Sequence, residues 1–325
     1  MDVVLGADGG NSKTELLAVG LDGAIVGYVR GPGSNAHGPG GVDACVDVLA
    51  RLVDRVQLDE PALHGSFFLC GADVPADVAA LTDAVGARGL ARRVEVENDT
   101  FALLRAGSDA ADAVAVVCGS GINSVGRNAA GRVARYPALG WETGDWGGAE
   151  ALGREALFLA ARAEDGRGRP TALVRVVRGH FSLDSAVAVG EEIHYGRLPA
   201  QRLGELASAV VAAAAADDAV AGGIVLRLAD EVALLAWKAL RDLELLDQPA
   251  DVVLGGGMLR GGGPLHDAVV ADLAVRAPRA RPVVAVDPPV VGAALAALDA
   301  VDAGPEVGER LRGTVRGGRT PEPAA

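Results

Sequence analysis

Short apolar runs bounded by glycine and aspartate alternate with longer stretches of helical periodicity along this chain. Three such runs, 3–7, 15–21 and 24–29, come first and predict three strands joined by tight turns. Apolar residues at helical spacing then predict a helix over about 42–56. A strand, a helix, a second strand and a second helix follow, ending near residue 105. The first part of the chain therefore predicts the order βββαβαβα.

The same order of elements restarts after residue 110. Runs at 113–118, 123–127 and 132–138 predict three strands, and two further strand–helix pairs are expected near the end of the chain. Between them, about 147–247 predicts a largely helical insertion. We therefore expect an α/β protein with two lobes that face each other across a cleft.

The predicted domain boundaries follow from this repetition. The first lobe is expected over 1–110 and the second over 111–303, with the final helix, 289–301, as a candidate to pack back on the first lobe. The segment 304–325 is rich in Gly, Pro and Arg and is predicted to be a mobile tail.

Composition narrows the classes of function. Half of the residues are hydrophobic and only 3% are aromatic, which suits a Val-, Leu- and Ala-rich parallel sheet covered by helices. The net charge of −13 argues against a nucleic-acid or membrane-surface partner. Cys45, Cys70 and Cys118 are few, odd in number and widely spaced, which fits a reducing compartment. With no leader-like start and no apolar run of about 20 residues, the sequence predicts a soluble cytoplasmic protein.

The first strand ends in DGGNSKT (8–14), which turns directly into the second strand. Glycine lets the backbone approach a polyphosphate without a Cβ collision, and neighbouring N–H groups form an anion-binding concavity. Lys13 adds a positive charge, and Asp8 is suited to hold Mg²⁺ or its waters. The segment is not a Walker loop, since GxxxxGK[ST] is absent and no helix follows. The alternative is a tight hairpin in which these residues only satisfy turn geometry.

Two further glycine-rich segments share this character. CGSGINSVG (118–126) again predicts strand, turn and strand, so it lacks the helix that a dinucleotide fingerprint requires. LGGGMLRGGG (254–263) lies between a strand and a helix, where bare backbone would accept an adenine. A simple connecting loop before a helix explains this third segment equally well.

Asp99 follows a buried strand and begins a helix in VENDTFALL (96–104). A carboxylate in this position projects to the sheet edge where α/β proteins bind ligands. Phosphoryl transfer to an alcohol needs one carboxylate that accepts the hydroxyl proton, which makes Asp99 the candidate base. As the N-cap of the helix it would have only a structural role, and this alternative stays open.

The segment GWETGDWGGA (140–149) is a polar, glycine-rich turn before a helix. Glu142 and Asp145 offer acceptors for sugar hydroxyls or for an ammonium group. Trp141 and Trp146 would either stack on a sugar ring or pack the turn, and packing is the commoner role.

Seven segments occur in the order found in one known family. They are DGGNSKT, the loop with Asn35, CGADVPAD (70–77), ENDT (97–100), CGSGINS, GWETGD and LGGGML. On these residues, over essentially 1–300, the chain resembles the N-acetylglucosamine kinase and BadF/BadG-type ATPase family of the sugar kinase, heat-shock-protein-70 and actin superfamily. The resemblance implies duplicated actin-like, ribonuclease-H-like lobes around a central cleft, with the helical insertion in the second lobe.

The resemblance also implies roles for individual residues. Asp99 falls on the catalytic base and Asp8 on the Mg²⁺ position. The residues expected to contact ATP are Gly10, Asn11, Ser12, Lys13, Thr14, Gly119, Ser120, Gly121, Gly255, Gly256, Gly257 and Met258. Asn35, Asn98 and Asp145 fall on sugar-contacting positions, and the turn of Gly71, Ala72 and Asp73 falls beside the sugar. Glu142 is also expected to contact the sugar, but on the chemistry of its own turn rather than on the resemblance.

One departure from the family pattern bears on the substrate. The family's usual run is GW, two apolar residues and then GDEGS, whereas this chain has Glu142 and Thr143 before the GD pair and Trp146 after it. A protonated 2-amino group attracts carboxylates, while an acetamido group is neutral and needs an amide partner and an apolar methyl pocket. The rearranged acids therefore predict glucosamine rather than N-acetylglucosamine.

The expected function is ATP- and Mg²⁺-dependent phosphorylation of glucosamine at its 6-hydroxyl. The alternatives are a kinase for N-acetylglucosamine or another hexose, and a regulatory ATPase that activates a partner enzyme. Such activators commonly carry cluster-binding cysteines, whose spacing is missing here. The expected partners are a small sugar and ATP, without nucleic acid or membrane, and a homodimer is left open.

Overall fold

The structure is a computed structural model that describes residues 2–318. The chain divides into two compact units. The first unit comprises Met1–Ala115 and Ala285–Ala325, and the second comprises Val116–Val284. The first division lies slightly after the predicted boundary at 110, and the chain from Ala285 onward belongs to the first unit rather than to the second.

The strands and helices alternate in the predicted order. Up to residue 135 they are β1 (Val3–Gly9), β2 (Lys13–Gly20), β3 (Ile25–Pro32), α1 (Gly41–Val56), β4 (His64–Leu69), α2 (Pro75–Arg88), β5 (Val94–Asn98), α3 (Asp99–Gly107), β6 (Ala113–Cys118), β7 (Ile122–Arg127) and β8 (Val133–Arg135). The insertion contributes α4 (Gly148–Glu164), α5 (Leu173–Phe181), α6 (Ala186–His194), α7 (Ala207–Ala215) and α8 (Ala219–Asp242), with short 3₁₀ helices at Gly140–Thr143 and Ala200–Leu206. The chain then forms β9 (Ala250–Gly255), α9 (Pro264–Arg276), β10 (Ala280–Val284), α10 (Pro289–Asp299) and α11 (Pro305–Arg316).

The first unit is built on a five-stranded sheet in the order β3-β2-β1-β4-β5. β1 is antiparallel to β2 and parallel to β4, and β4 is parallel to β5. Alternate residues of β1 point to opposite faces. Leu5 packs in the cluster formed with α1 and α2, while Val4 packs with α10 and α11. At Gly6 a Cβ would lie 2.1 Å from the Ala294 backbone nitrogen, so glycine allows α10 to lie directly on β1.

The second unit repeats this arrangement in a sheet with the order β10-β9-β6-β7-β8. Its first strand, β6, is central, with the next two strands on one side and the two late parallel strands on the other. The sheets therefore confirm the predicted α/β fold with two duplicated lobes, and the helical insertion is present in the second of them.

The prediction of a mobile tail from residue 304 is wrong for its first part. Pro305 begins α11, where its missing N–H is not needed, and Val307 and Leu311 are buried in the cluster that contains α10. Because this segment is rich in glycine and arginine, its few apolar residues did not predict a helix from the sequence. Residues 319–325, the rest of the predicted tail, lie outside the described residues.

Among residues 2–318, no single helix is both long and apolar enough to cross a membrane. One sharply bent pair, Ala200–Ala215 with Ala219–Asp242, passes that test together by length and composition only.

Candidate active site

The turn between β1 and β2 is closed by its own backbone. The Gly10 N–H donates to the Lys13 carbonyl at 2.9 Å, which leaves Asn11 and Ser12 exposed at the tip. Gly9 is required for packing, because a Cβ there would lie 2.3 Å from Ser34 Oγ. The tip therefore offers backbone and short polar groups, as the phosphate-binding hypothesis requires.

The last two residues of the predicted phosphate segment have partners inside the first unit. Lys13 Nζ lies 2.5 Å from Glu15 Oε2, and the Lys13 side chain remains partly exposed. The buried hydroxyl of Thr14 donates to Ser34 Oγ at 2.9 Å. The structure thus places the Thr14 side chain in the protein interior rather than at the tip of the turn.

Asp8 lies near the end of β1 and is partly exposed. Burial raises the pKa of the Cys70 thiol, and the carboxylates of Asp99, Asp73 and Asp8 add to the rise. These three acids, from β1, the turn after β4 and the start of α3, are therefore all close enough to act on one thiol. The structure gathers them at the carboxyl ends of the parallel strands of the first sheet.

The donor chemistry of Asp8 fits Mg²⁺. Within the described part of the chain, no group of three or more His, Cys, Asp or Glu side chains could hold a metal ion by itself. Mg²⁺ in phosphoryl-transfer sites is usually held by one or two carboxylates, with phosphate oxygens and water completing its coordination. Asp8, a partly exposed carboxylate beside the turn predicted to bind phosphate, meets that requirement.

Asp99 is the first residue of α3, and the helix is capped by its neighbour. Asn98 has extended backbone angles, and its Oδ1 accepts the Thr100 N–H at 3.0 Å. The cap alternative proposed for Asp99 therefore belongs to Asn98.

The environment of Asp99 changes its acidity. Burial raises the pKa of Asp99 to about 6, the Asp73 carboxylate adds to the rise, and Thr100 partly offsets it. Such a carboxyl group is mostly ionised at neutral pH and yet more basic than an ordinary aspartate, which suits a general base.

The predicted sugar-contact residues of the first unit lie around the turn after β4. Asn98 Nδ2 donates to Asp73 Oδ1 at 2.9 Å. Gly71 has a φ of +85°, and a Cβ there would lie 2.7 Å from Asn35 Oδ1. Ala72 is buried, so its contribution to a ligand is limited to its backbone. The structure thus brings Asn35, Gly71, Asp73 and Asn98 together beside Asp99.

In the second unit, the Gly119–Gly121 turn lies against the start of α4. Two carbonyl groups of this turn accept hydrogen bonds from the first turn of α4. The Ala149 N–H donates to Gly119 O at 2.8 Å, and the Glu150 N–H donates to Ser120 O at 3.0 Å. Gly148 has a φ of +75°, and a Cβ there would lie 2.4 Å from Ser120 O. The side chain of Ser120 is exposed.

The third glycine segment packs beside the second. Gly256 has a φ of +89°, and a Cβ there would lie 2.1 Å from Cys118 O, while the Met258 N–H donates to the same oxygen at 3.3 Å. Gly255 is the buried last residue of β9. By contrast, a Cβ at Gly119, Gly121 or Gly257 would meet nothing within 4 Å. Packing requires Gly256, whereas these other three glycines leave open space for a ligand to approach the backbone.

The two tryptophans of the 140–148 turn differ in their exposure to solvent. Trp141 is 81% exposed, whereas Trp146 is 8% exposed. The guanidinium carbon of Arg227, on α8, lies 3.9 Å from the centre of the Trp146 ring. Trp146 therefore packs, in agreement with the commoner role expected for it, and Trp141 is free to contact a ligand.

The two predicted sugar acceptors of this turn differ in environment. Glu142 is exposed, while Asp145 is partly buried and accepts a hydrogen bond from Thr143 Oγ1. Both belong to the second unit, whereas the other predicted sugar-contact residues belong to the first.

The sequence matches the BadF/BadG/BcrA/BcrD ATPase family over residues 5–297. The chain belongs to this family. The match confirms the resemblance inferred from the seven segments.

Two relatives of similar sequence are named as kinases of N-acetylated sugars. An N-acetylmuramic acid/N-acetylglucosamine kinase of Clostridium acetobutylicum is 25% identical over 277 residues, which cover 82% of this chain and 89% of that protein. An N-acetyl-D-glucosamine kinase of Dictyostelium discoideum is 24% identical over 313 residues, covering 92% and 98%.

Solved structures agree with this fold. A Chromobacterium violaceum protein proposed to be an N-acetylglucosamine kinase has a TM-score of 0.68 at 20% identity, covering 91% of this chain and 98% of its own. A ROK family glucokinase of Streptomyces griseus, solved with glucose and AMPPNP, has a TM-score of 0.58 at 18% identity, with the same coverage. At these identities the likeness supports the fold alone.

The sequence of this BadF/BadG/BcrA/BcrD ATPase family member did not indicate a role for Arg227. It lies in the helical insertion, far along the chain from Trp146, and its place in α8 resembles that of many exposed helical arginines. Only the stacking contact distinguishes it, so no local sequence pattern would have indicated its link to the 140–148 turn.

Proposed function

We propose that this chain is an ATP-dependent kinase that transfers the γ-phosphoryl group of ATP to the 6-hydroxyl of an amino sugar. The observation that carries the proposal is the setting of Asp99. Its carboxylate begins α3 beside Asp73, its pKa is raised to about 6 by burial, and Asn98 performs the capping that would otherwise explain it.

In the proposed reaction, Asp99 accepts the proton of the sugar hydroxyl as its oxygen attacks the γ-phosphorus. The new bond joins that oxygen to phosphorus, and the bond from phosphorus to the β–γ bridging oxygen breaks, so that ADP leaves with the electron pair. With a pKa of about 6, Asp99 is mostly ionised at neutral pH before the reaction. It is nevertheless a stronger base than an ordinary aspartate, so it accepts the hydroxyl proton more readily.

The glycine turns supply the proposed nucleotide contacts. The open backbone at Gly119, Gly121 and Gly257 would accept the phosphates and adenosine of ATP without Cβ interference. Asp8 would hold Mg²⁺, which when bound neutralises charge on the phosphate oxygens.

Asp99→Asn tests the proposed base. The variant should bind ATP with nearly unchanged affinity and lose most of its sugar-dependent ADP release, since an amide cannot accept the proton. Asp59→Asn, an exposed position in the same unit, is the matched control and should keep full turnover. Near-normal turnover in Asp99→Asn would refute the assignment. Sugar-independent ATP hydrolysis that survives in this variant would instead favour a regulatory ATPase.

Two amino sugars are candidates, each supported by one observation. The exposed carboxylate of Glu142, gained relative to the family pattern, favours the ammonium group of glucosamine. The names of the Clostridium and Dictyostelium relatives favour N-acetylglucosamine. We place glucosamine first, because the change lies in the turn that the resemblance assigns to the sugar.

The ratio of kcat/KM for the two sugars distinguishes these candidates. If glucosamine is the substrate, Glu142→Gln should reduce its kcat/KM selectively and leave that for N-acetylglucosamine unchanged. A clear preference of the wild type for the acetylated sugar would overturn the choice of glucosamine while leaving the kinase assignment intact.

A further inference from the structure

The loop after β3 fixes the main chain of a histidine that no motif singled out. Asn35 Oδ1 accepts the His37 N–H at 2.8 Å, and the Gly38 N–H donates to the Asn35 carbonyl at 3.0 Å. Together these bonds form a turn in which the Asn35 side chain mimics backbone. Asn35 Oδ1 is thus engaged in holding His37, while Asn35 Nδ2 donates to Asn11 Oδ1 at 2.6 Å.

The imidazole of His37 lies beside the turn that follows β4. A Cβ at Gly71 would lie 3.1 Å from His37 Cδ2, so the absence of a side chain at Gly71 makes room for the ring. The side chain of His37 is nevertheless 56% exposed. One edge of the ring therefore packs on the turn, and the other remains accessible to a ligand.

The charged neighbours of His37 belong to the same turn and to the first turn of α2. His37 Nε2 lies 3.5 Å from Asp77 Oδ2. Burial raises the pKa of Asp73, His37 opposes that rise, and Asp77 increases it. Asp73 in turn accepts the hydrogen bond from Asn98, the residue that caps the helix of Asp99. His37 thus acts electrostatically on Asp73, the acid that also acts on the candidate base.

We propose that His37 is a specificity-determining residue of the acceptor site, where its imidazole hydrogen-bonds a hydroxyl group of the sugar. The inference rests on the proposed kinase function. His37 Nε2 faces Asp77, which leaves the other ring nitrogen, Nδ1, to form a hydrogen bond with a hydroxyl group, since a hydroxyl group can either donate or accept. The position of the imidazole among Asn35, Gly71 and Asp73 places the ring at the residues expected to contact the sugar.

Steady-state kinetics of His37→Ala and His37→Asn test the proposal. Each variant should raise KM for the sugar about three- to tenfold, the effect of losing one neutral hydrogen bond, and leave KM for ATP unchanged. His37→Asn keeps a polar planar group and should lose less than His37→Ala. The matched control is His194→Ala, which removes an imidazole from the end of α6 in the other unit and should change neither constant.

Thermal melting of each variant separates this role from a loss of folding. A KM for the sugar equal to that of the wild type in both folded His37 variants would overturn the inference, as would an equal rise in KM for ATP. Failure of the kinase proposal itself has a different signature, because the wild type would then show no sugar-dependent turnover.

Discussion

The side-chain amide of Asn98 donates a hydrogen bond to Asp73 Oδ1 at 2.9 Å. The oxygen of the same amide accepts the Thr100 N–H and caps α3. One side chain therefore links the turn after β4 to the helix that begins with Asp99, and the geometry of the candidate base depends on it.

Asn98→Ala should lower both stability and catalysis. Loss of the cap should reduce the free energy of unfolding by about 1 kcal/mol, and release of Asp73 should lower kcat/KM as well. Urea denaturation and sugar-dependent ADP release measure the two effects. Ser185→Ala removes the cap of α6, whose hydroxyl accepts the Ala188 N–H, and is the matched control. If both variants lose only stability, Asn98 has no part in the active site.

The activity should rise with pH through about 6, because the pKa of Asp99 is raised to about 6 by burial and by Asp73, and the base must be ionised. Asp73→Asn should move this acid limb to lower pH, since it removes a neighbouring negative charge. The pH profile of kcat/KM in both proteins provides the measurement. An unchanged acid limb in Asp73→Asn would show that another group controls it.

The same group should make stability depend on pH. The pKa of Asp99 rises from 3.8 in the unfolded chain to about 6 in the fold, so its ionisation opposes folding. This destabilisation is absent below the unfolded value and develops fully as pH rises through the folded one. Asp99→Asn should therefore raise the melting temperature at about pH 8 and lose that advantage near pH 4. A gain of equal size at both pH values would contradict the assigned shift.

Neighbouring glycines of the third glycine segment should respond differently to alanine. Gly256→Ala should destabilise the protein, because its Cβ would lie 2.1 Å from Cys118 O at a φ of +89°. Gly257→Ala has open space and should fold normally, but it should raise KM for ATP if the nucleotide approaches this backbone. Thermal melting and ATP kinetics distinguish the two. Normal ATP kinetics in Gly257→Ala would remove Gly257 from the proposed nucleotide site.

Arg227→Ala should loosen the 140–148 turn by removing the guanidinium from the face of Trp146. A stacking contact at 3.9 Å with a buried ring should contribute about 1 kcal/mol, and its loss should raise KM for the sugar. The control is Arg241→Ala, which removes a similar contact with Trp237 at 4.7 Å and should leave KM for the sugar unchanged. Equal KM values for the sugar in the two variants would show that the 140–148 turn does not contribute to sugar binding.

Arg312→Ala should release α11 from the first unit. Arg312 Nη1 donates to the Ala106 carbonyl and pairs with Asp287, whose side chain is only 1% exposed. Because Arg316 still pairs with Asp287 at 2.9 Å, the expected loss is about 2 kcal/mol, below that of a buried charge without any partner. The half-exposed Arg316 makes Arg316→Ala the milder control in urea denaturation. A smaller loss in Arg312→Ala than in Arg316→Ala would contradict this account.

Local patterns predicted the elements because each strand and helix carries its own periodicity. The alternation along β1 is visible in the sequence, since Val4 and Leu5 must face opposite sides of a sheet. The stripe of α11 was missed, because Val307 and Leu311 are isolated apolar residues among Gly, Glu and Arg and are buried only where α10 lies beside them. Short elements with few apolar residues depend on tertiary packing more than on propensity.

The sequence alone determined that the chain forms two similar α/β lobes and that glycine turns and an aspartate follow their strands. It left open whether Asp99 is a cap or a base, since Asn98 and Asp99 are equally good capping residues and only backbone angles choose between them. Tertiary structure also decided that Thr14 is buried, that Trp146 packs under Arg227, and that His37 lies beside Gly71. These outcomes depend on contacts between segments distant along the chain, and no local pattern of residues encodes such distances.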